Sequence, residues 1–590
     1  MPLPYYNIIA LFFVLWLGGF AIYMGCNHGL APNARLQQFL RYLAGAALAV
    51  VPIAVAAANP TEPALLLVMA ASMSWMIAYP LLYHLTNRHS SPDYDNQIDI
   101  AFGIYLYGWL SALFLLLPEA GAAWGVLAFV VMMQAVVLLG YYATCHVVLD
   151  ASGIKMLQET NYNEVIEFLR SYSPLRVVGM ALPVVMLAVG CVYVGATYPL
   201  QGERAWWQLA VVGAVFAFTT IYMWKPGHGL FVRCGLPQLY QIVREYVINN
   251  SQYIERRSER MESLTVMPLH PMQKPHTIIM VIGESASRDY MSAFTTMKED
   301  TTPWLRSLAA ADPHCVLFPH AYSCDIQTVP TLEKALTEYN QYNGGQFYTS
   351  CSIVDIAHKA GYHIHWYSNQ GHLGAADTPI TLVANTAHTA KWTEQQLNKE
   401  QYDEALIDFL DEVDPTLNNF VVLHLKGSHF NYENRFTEAS RQWGEPGNHD
   451  RITNYKNSLY YTDSVLNKVF DYARRQLNLQ AMVYCSDHGD IPNRHRMPNF
   501  TGFLDTRIPL AVWFAQDYAA LHPNRLAALQ QNRNRYWTND LLYELMCGIF
   551  DIQSNHFREE NSLASANYRF QLQDLTAMDG RFRIADDQLH

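Results

Sequence analysis

Charge is spread so unevenly along this chain that it must fold into two physically different objects. Through Lys225 there are eight basic and ten acidic residues, about 8% of the segment, whereas the remainder is about 20% charged. Ordinary soluble domains carry roughly 25%. The first segment is dominated by uncharged apolar runs at 5–24, 42–58, 64–83, 100–117, 122–149, 177–199 and 206–224. Each approaches the ~20 residues that a helix needs to cross ~30 Å of hydrocarbon, where the backbone must satisfy its own hydrogen bonds. The run at 42–58 is short, Ala-rich and interrupted by Pro52, so five to seven membrane helices are expected. No Lys or Arg precedes Tyr5, which predicts a retained first helix rather than a cleaved signal peptide. A wholly soluble enzyme and a disordered chain are excluded. The net charge of −12, with no basic stripe, argues against nucleic acid as a partner.

Two polar segments interrupt this picture. Residues 155–172 form the longest polar stretch between apolar runs, and Ile166, Phe168 and Leu169 suit an amphipathic helix lying on a bilayer, or else a solvated connector. Residues 226–275 are charged and helix-prone, and end in MPLHPMQKPH, whose prolines mark a domain boundary. Beyond them, short β-rich runs alternate with helical ones, the pattern of a soluble α/β domain with a mainly parallel sheet. The expected organisation is a transmembrane domain (1–225), a helical linker (226–275), a catalytic domain (276–560) and a C-terminal tail (561–590).

In open α/β sheets ligands bind beyond the carboxyl ends of the strands. Four runs end in polar tripeptides or longer: 277–282 in Gly283-Glu284-Ser285, 363–367 in Ser368-Asn369-Gln370, 420–425 in Lys426-Gly427-Ser428-His429, and 481–485 in Ser486-Asp487-His488-Gly489-Asp490. Glu284, His429 and the Asp487-His488 pair can therefore converge although they are far apart in sequence. Carboxylates and a neutral imidazole form a donor set that suits tetrahedral Zn²⁺ with one position left open. Thr328 is the candidate for that position, because Pro330 and the LEKAL run after it signal a helix start, whose positive dipole end favours phosphate. A metal is one of the few ways to activate a Thr hydroxyl. The simpler alternative for Thr328 is a helix N-cap.

Together, G-E-S-A-S-R (283–288), T-T-P-W-L (301–305), Cys324 with Thr328 four residues on, H-L-K-G-S-H (424–429) and S-D-H-G (486–489), in order behind a multi-span segment, resemble the bacterial phosphoethanolamine transferases of the alkaline phosphatase and sulfatase superfamily. Glu159-Thr160-Asn161 with Glu164 stands where that family has an E-T-N-like motif. The resemblance implies an alkaline-phosphatase-like catalytic domain facing the periplasm and anchored in the inner membrane by multiple spans. It implies one or two Zn²⁺, with Glu284, Thr328, Asp487 and His488 as ligands and Thr328 as the nucleophile. It matches His429 and His495 to a pair that contacts the phosphoryl group or a second zinc. Thr160, Glu164, Asn369 and Gln370 match donor-binding positions. Phosphatidylethanolamine would be the donor and lipopolysaccharide or another envelope molecule the acceptor. The basic residues between apolar runs do not follow the positive-inside rule, so the periplasmic side rests on the resemblance alone.

The family's second Cys shortly after the nucleophile is missing, which leaves pairing among Cys315, Cys324 and Cys351 open and makes Cys485 a buried free thiol. No C/S-x-P-x-R context surrounds Thr328, which argues against sulfatase chemistry. The competing readings are a phosphoglycerol or phosphocholine transferase, a phosphoester hydrolase, or a metal-free membrane sensor or scaffold.

Overall fold

The computed structural model describes residues 45–59, 62–86, 96–145, 149, 153–154, 173–198, 203–225, 229–231, 234–271, 273–370, 378–393, 401–493, 500 and 502–588. The chain divides into two compact units, one reaching Tyr246 and the other running from Val247 to His590. The division falls within the charged segment 226–275, inside a helix. The apolar run at 5–24 and the polar segment 155–172 lie outside the described residues.

The first unit is helical. Its main helices are α1 (Pro63–Thr86), α2 (Asn96–Leu116), α3 (Ala122–Cys145), α4 (Pro174–Thr197), α5 (Trp206–Trp224) and α6 (Gly235–Glu255). Among the described residues three stretches are long and apolar enough to cross a membrane: Ala122–Ala143, Val177–Thr197 and Trp206–Trp224. Gly45–Val55, Pro63–Trp75 and Phe102–Leu116 are shorter apolar helices. The architecture is thus the expected multi-span one. Along α4, Val178, Leu182, Val185, Met186 and Val189 are each more than half exposed, an arrangement that hydrocarbon rather than water stabilises. Helices α3 and α4 approach closely through small residues. A Cβ on Gly195 would stand 2.7 Å from the Gly125 backbone nitrogen and 2.8 Å from the Gly121 carbonyl oxygen, so glycine is required there. Sparse interhelical hydrogen bonds add register: the Trp75 indole donates to the Val131 carbonyl at 2.7 Å and the Trp109 indole to Thr220 Oγ1 at 2.8 Å.

The second unit is built on a seven-stranded sheet of β1 (Thr277–Gly283), β2 (Cys315–Leu317), β3 (His363–Ser368), β4 (Thr389–Trp392), β5 (Asn419–His424), β6 (Leu479–Ser486) and β7 (Leu510–Phe514). Their order is β2-β7-β6-β1-β5-β3-β4. Strands β6, β1, β5, β3 and β4 are parallel, while β7 runs antiparallel to both β6 and β2. The β1, β5 and β6 runs are buried throughout, as a sheet covered on both faces demands. Alternate residues serve opposite faces. Ile278, Met280 and Ile282 join one apolar cluster and Ile279 and Val281 the other, the two-residue period of a strand.

Register then fixes where the polar loops emerge. Ile282 lies level with His424 and Cys485, Gly283 with Ser486, and Ser368 with His424. The residues after β1, β3, β5 and β6 therefore leave the sheet at one edge. Residues 561–588 pack onto the same unit: Leu563, Tyr568, Phe570, Leu575 and Ile584 are buried, and Asp587 accepts from Arg507 Nε at 2.9 Å. Among the described residues there is no disulfide, and Cys315, Cys324, Cys351, Cys485 and Cys547 are all buried free thiols. Neither the open pairing among Cys315, Cys324 and Cys351 nor any bridge to Cys324 is formed.

Candidate active site

Glu284 follows β1 directly and is 1% exposed. Its successor Ser285 adopts a left-handed backbone, φ 56°, a conformation that costs a non-glycine residue on the order of 1 kcal/mol or more and persists only where surroundings hold it. The hold is visible. Tyr455, on α8 (Arg451–Gln476), donates its hydroxyl to the Ser285 carbonyl at 2.7 Å and accepts the Ser287 N–H at 2.8 Å. The bend aims the Ser285 N–H at Asp487 Oδ1 (3.0 Å), and the Ser285 hydroxyl donates to Glu284 Oε1 at 2.6 Å. Two loops from neighbouring strands are locked together by this one turn.

From β6, Asp487 and His488 are fully buried. The Asp487 Oδ1 atom accepts the His488 N–H at 2.7 Å, whereas Oδ2 has no geometrically regular hydrogen bond among the described residues and lies 3.3 Å from His488 Nε2. The imidazole Nδ1 faces the Gly489 carbonyl at 2.7 Å. A carbonyl only accepts, so Nδ1 carries a proton and Nε2 is the ring atom turned to the carboxylates. Glu284, Asp487 and His488 each offer one ligand atom within 4.8 Å of the others. Burial and the neighbouring Glu284 charge push the Asp487 carboxyl well above the usual carboxylate range. Two adjacent buried carboxylates need a counter-charge. Two buried carboxylates and an imidazole nitrogen brought this close together are a donor set that fits a divalent cation.

Thr328 opens α7 (Thr328–Ala335) as its first residue, and Gln327 at the cap position makes no side-chain cap. Asp325 instead accepts the N–H groups of Ile326 and Gln327 at 2.8 and 3.2 Å. The Thr328 hydroxyl, released from capping, donates to Glu284 Oε2 at 3.2 Å and lies 3.4 Å from His488 Nε2. The helix start is as expected, and the N-cap alternative is not what the hydroxyl does.

The other expected residues divide. Gln370 reaches the cluster, its amide donating to Glu284 Oε2 at 3.1 Å and to the Leu425 carbonyl at 2.7 Å. Asn369 is fully buried beneath it, donating to Asp403 Oδ1 at 2.8 Å and accepting from Thr393 Oγ1 at 2.6 Å. His429 sits half-buried on the loop after β5, its ring beside Phe430 and its carbonyl accepting from Arg435 Nε at 3.1 Å. Thr160, Glu164 and His495 lie outside the described residues.

Several supporting residues gave no local signal. Asp403 accepts the Lys426 and Gly427 N–H groups at 2.6 and 2.8 Å, shaping the β5 loop. Gly427, at φ 51°, passes so close that a Cβ would stand 2.6 Å from the Glu284 carbonyl oxygen. Asn539 accepts the Cys324 N–H at 2.9 Å and donates to the Asp487 carbonyl at 2.7 Å, tying the Thr328 loop to the Asp487–His488 turn. It lies more than fifty residues past Asp487, and only the fold brings it there.

Residues 276–547 match the sulfatase family. The chain is 25% identical over 455 residues to phosphoethanolamine transferase EptC of Escherichia coli (strain K12), covering 70% of this chain and 78% of that one. It is 25% identical over 479 residues to phosphoethanolamine transferase CptA of Salmonella typhimurium, covering 75% and 82%. Among solved structures, the integral membrane protein lipooligosaccharide phosphoethanolamine transferase A of Neisseria meningitidis superposes with a TM-score of 0.55 at 18% identity, over 84% of this chain and 97% of that one. The zinc complex of the C-terminal periplasmic domain of the Escherichia coli EptC superposes at 0.50 and 21% identity, over 55% and 96%. The chain thus resembles these transferases in sequence and in fold, with the sulfatase match confined to its second unit.

Proposed function

We propose that this chain is a membrane-embedded, zinc-dependent phosphotransferase that moves phosphoethanolamine from phosphatidylethanolamine to an envelope acceptor, lipopolysaccharide lipid A or core, through a phosphorylated Thr328. The observation that carries this reading is the Thr328 hydroxyl, released from helix capping and directed into the Glu284–Asp487–His488 cluster. The names of the relatives support the head group and the class of acceptor.

Glu284, Asp487, His488 and the Thr328 hydroxyl are the residues that would hold the zinc, which when bound lowers the hydroxyl's pKa and offsets charge on the phosphoryl oxygens. Thr328 Oγ1 directs its proton at Glu284 Oε2 and attacks phosphorus. An O–P bond forms and the bond from phosphorus to the diacylglycerol oxygen breaks. That oxygen takes a proton from an imidazole, the role given to His429 or His495. The amino end of α7 adds a positive dipole for the phosphoryl oxygens. An acceptor hydroxyl or phosphate then attacks phospho-Thr328, which releases the Thr hydroxyl for the next cycle. Gln370 orients the Glu284 carboxylate through its amide, and Asn369 shapes the same edge through Asp403. Thr160 and Glu164 would hold the lipid head group. The membrane domain (1–225) and linker (226–275) would keep the catalytic domain (276–560, with residues 561–590) at the periplasmic face of the inner membrane, where donor and acceptor are both found.

The test is head-group transfer by Thr328→Ala in lipid vesicles containing phosphatidylethanolamine. Transfer is expected to fall by at least about 10³-fold, as for other covalent nucleophiles, with near-ultraviolet circular dichroism unchanged. Transfer near the wild-type rate would sink the assignment.

A further inference from the structure

A second group of metal-ligand side chains lies past the far end of α7. Glu338, Cys351 and His556 each place one ligand atom within 4.8 Å of the others. His556 Nδ1 is 3.0 Å from both Glu338 oxygens, and Glu338 Oε1 also accepts the Cys351 N–H at 2.9 Å. Cys351 is fully buried, and its thiol makes no hydrogen bond among the described residues. A buried sulfur turned towards a carboxylate and an imidazole is the independent sign of a ligand, since a purely structural Cys has no need of polar neighbours.

We propose that Glu338, Cys351 and His556 form a second transition-metal site, separate from the catalytic cluster, that takes zinc or another thiophilic divalent ion. The donor types are those of zinc, whose ligands stand about 3.5 Å apart around a tetrahedral ion, so the 3.0 Å contact between His556 and Glu338 would open slightly as the sulfur, within 4.8 Å of both, closes in. Charge also fits. A Glu338 carboxylate and a Cys351 thiolate with neutral His556 balance a divalent ion, and the thiol proton is released on binding.

A different cluster, His270, His522 and Asp551, is less suited. The Arg525 guanidinium already occupies Asp551 Oδ1 at 2.9 Å, placing a fixed cation beside the ligands.

The placement gives the metal a mechanical role. Glu338 and Cys351 exchange backbone and side-chain hydrogen bonds, the Glu338 N–H donating to the Cys351 carbonyl at 2.9 Å, and Thr337 bridges Ser352. These contacts close the base of the loop 339–350. His556 comes from the turn after the strand Ile552–Ser554. A bound ion would clip the segment that follows the Thr328 helix to the C-terminal part of the unit.

Cobalt substitution tests this without using activity. Metal-free full-length protein in detergent is titrated with Co²⁺, and the near-ultraviolet thiolate-to-cobalt charge-transfer band is recorded; the catalytic ligand set contains no sulfur and cannot give it. The band is expected to saturate at one equivalent, to vanish in Cys351→Ser, and to require at least tenfold more cobalt in His556→Gln, whose half-exposed ring can be replaced without opening the core. Absence of the band at saturating cobalt overturns the proposal. So does a band unchanged in both variants.

Discussion

Each of the two units buries backbone and apolar surface, but in a different solvent, and the difference shows where chemistry can reside. In the second unit, β1 is buried on both faces and the polar groups beyond its end are tied by hydrogen bonds such as Ser285 to Asp487 and Thr328 to Glu284. In the first, α4 turns Leu182, Val185 and Met186 outward, and helices meet through the Gly125–Gly195 contact with few hydrogen bonds. Polar side chains at strand ends can be fixed to within a few tenths of an ångström by such networks. Helices in hydrocarbon are held mostly by shape. On the proposed function catalysis belongs to the second unit, and the first would confine it to the lipid surface.

That contrast can be broken most strongly at the metal cluster. Asp487→Asn removes one of two buried charges facing the cation, so bound zinc at the catalytic site should fall by at least about tenfold and transfer by about 10²–10³-fold. Metal analysis and the vesicle assay measure both; full zinc retention together with normal transfer would contradict the ligand assignment.

A smaller effect tests the shape-held unit. Gly195→Ala places a Cβ against the backbone of α3 and should destabilise the helical unit by about 1–3 kcal/mol. The loss would appear as a lower midpoint in detergent denaturation, with zinc binding unchanged. A neutral result would remove the close approach of α3 and α4 from the account.

Asn539→Ala should act through position rather than contact with substrate. It leaves the Cys324 N–H and the Asp487 carbonyl without their partner, at a cost of about 1–3 kcal/mol. The expected outcome is a kcat lowered about tenfold with little change in KM, and Asn539→Asp recovering the Cys324 contact but not the Asp487 one. Unchanged kcat in the alanine variant would reduce Asn539 to a stabilising residue.

A last test of the second unit is a pH dependence of its stability. Asp463 on α8 accepts the Trp304 and Leu305 N–H groups at 2.8 and 3.1 Å, and burial pushes its carboxyl up to about 7. A folded pKa above the unfolded value means that the folded chain binds the extra proton. The contribution is full below the unfolded pKa and is lost as pH rises through about 7, at up to about 1.4 kcal/mol per unit. Asp463→Asn should flatten the rise in denaturation midpoint seen on lowering pH from 7 to 4. An unaltered pH profile would show that this carboxyl does not titrate there.

The sequence carried the edges of this structure better than its interior. Apolar run lengths marked the helices, and strand-like runs ending in Glu284, Gln370 and Asp487-His488 marked one edge of a sheet, because strand period and loop polarity are local properties. The left-handed turn at Ser285, the Asp403 and Asn539 supports and the Tyr455 clamp were not legible. Each depends on partners that the fold brings from distant segments. Asn369 and Gln370 show the limit of adjacency: neighbours in sequence, one reaches the cluster and the other lies beneath it, because successive residues leaving a strand point opposite ways. The three helix-spanning segments were legible from composition, whereas the glycine contacts that set their packing were not. Thr328 needed both levels, a local helix start and a distant carboxylate.

The central claim is that Thr328 carries the transferred group. Peptide mass spectrometry across Thr328, on protein purified from a bacterium whose membrane contains phosphatidylethanolamine and trapped during turnover, tests it directly. The account predicts a Thr328 peptide heavier by phosphoethanolamine, absent from Thr328→Ala. An unmodified Thr328 in protein that is transferring the head group, with the adduct on another residue, would contradict it.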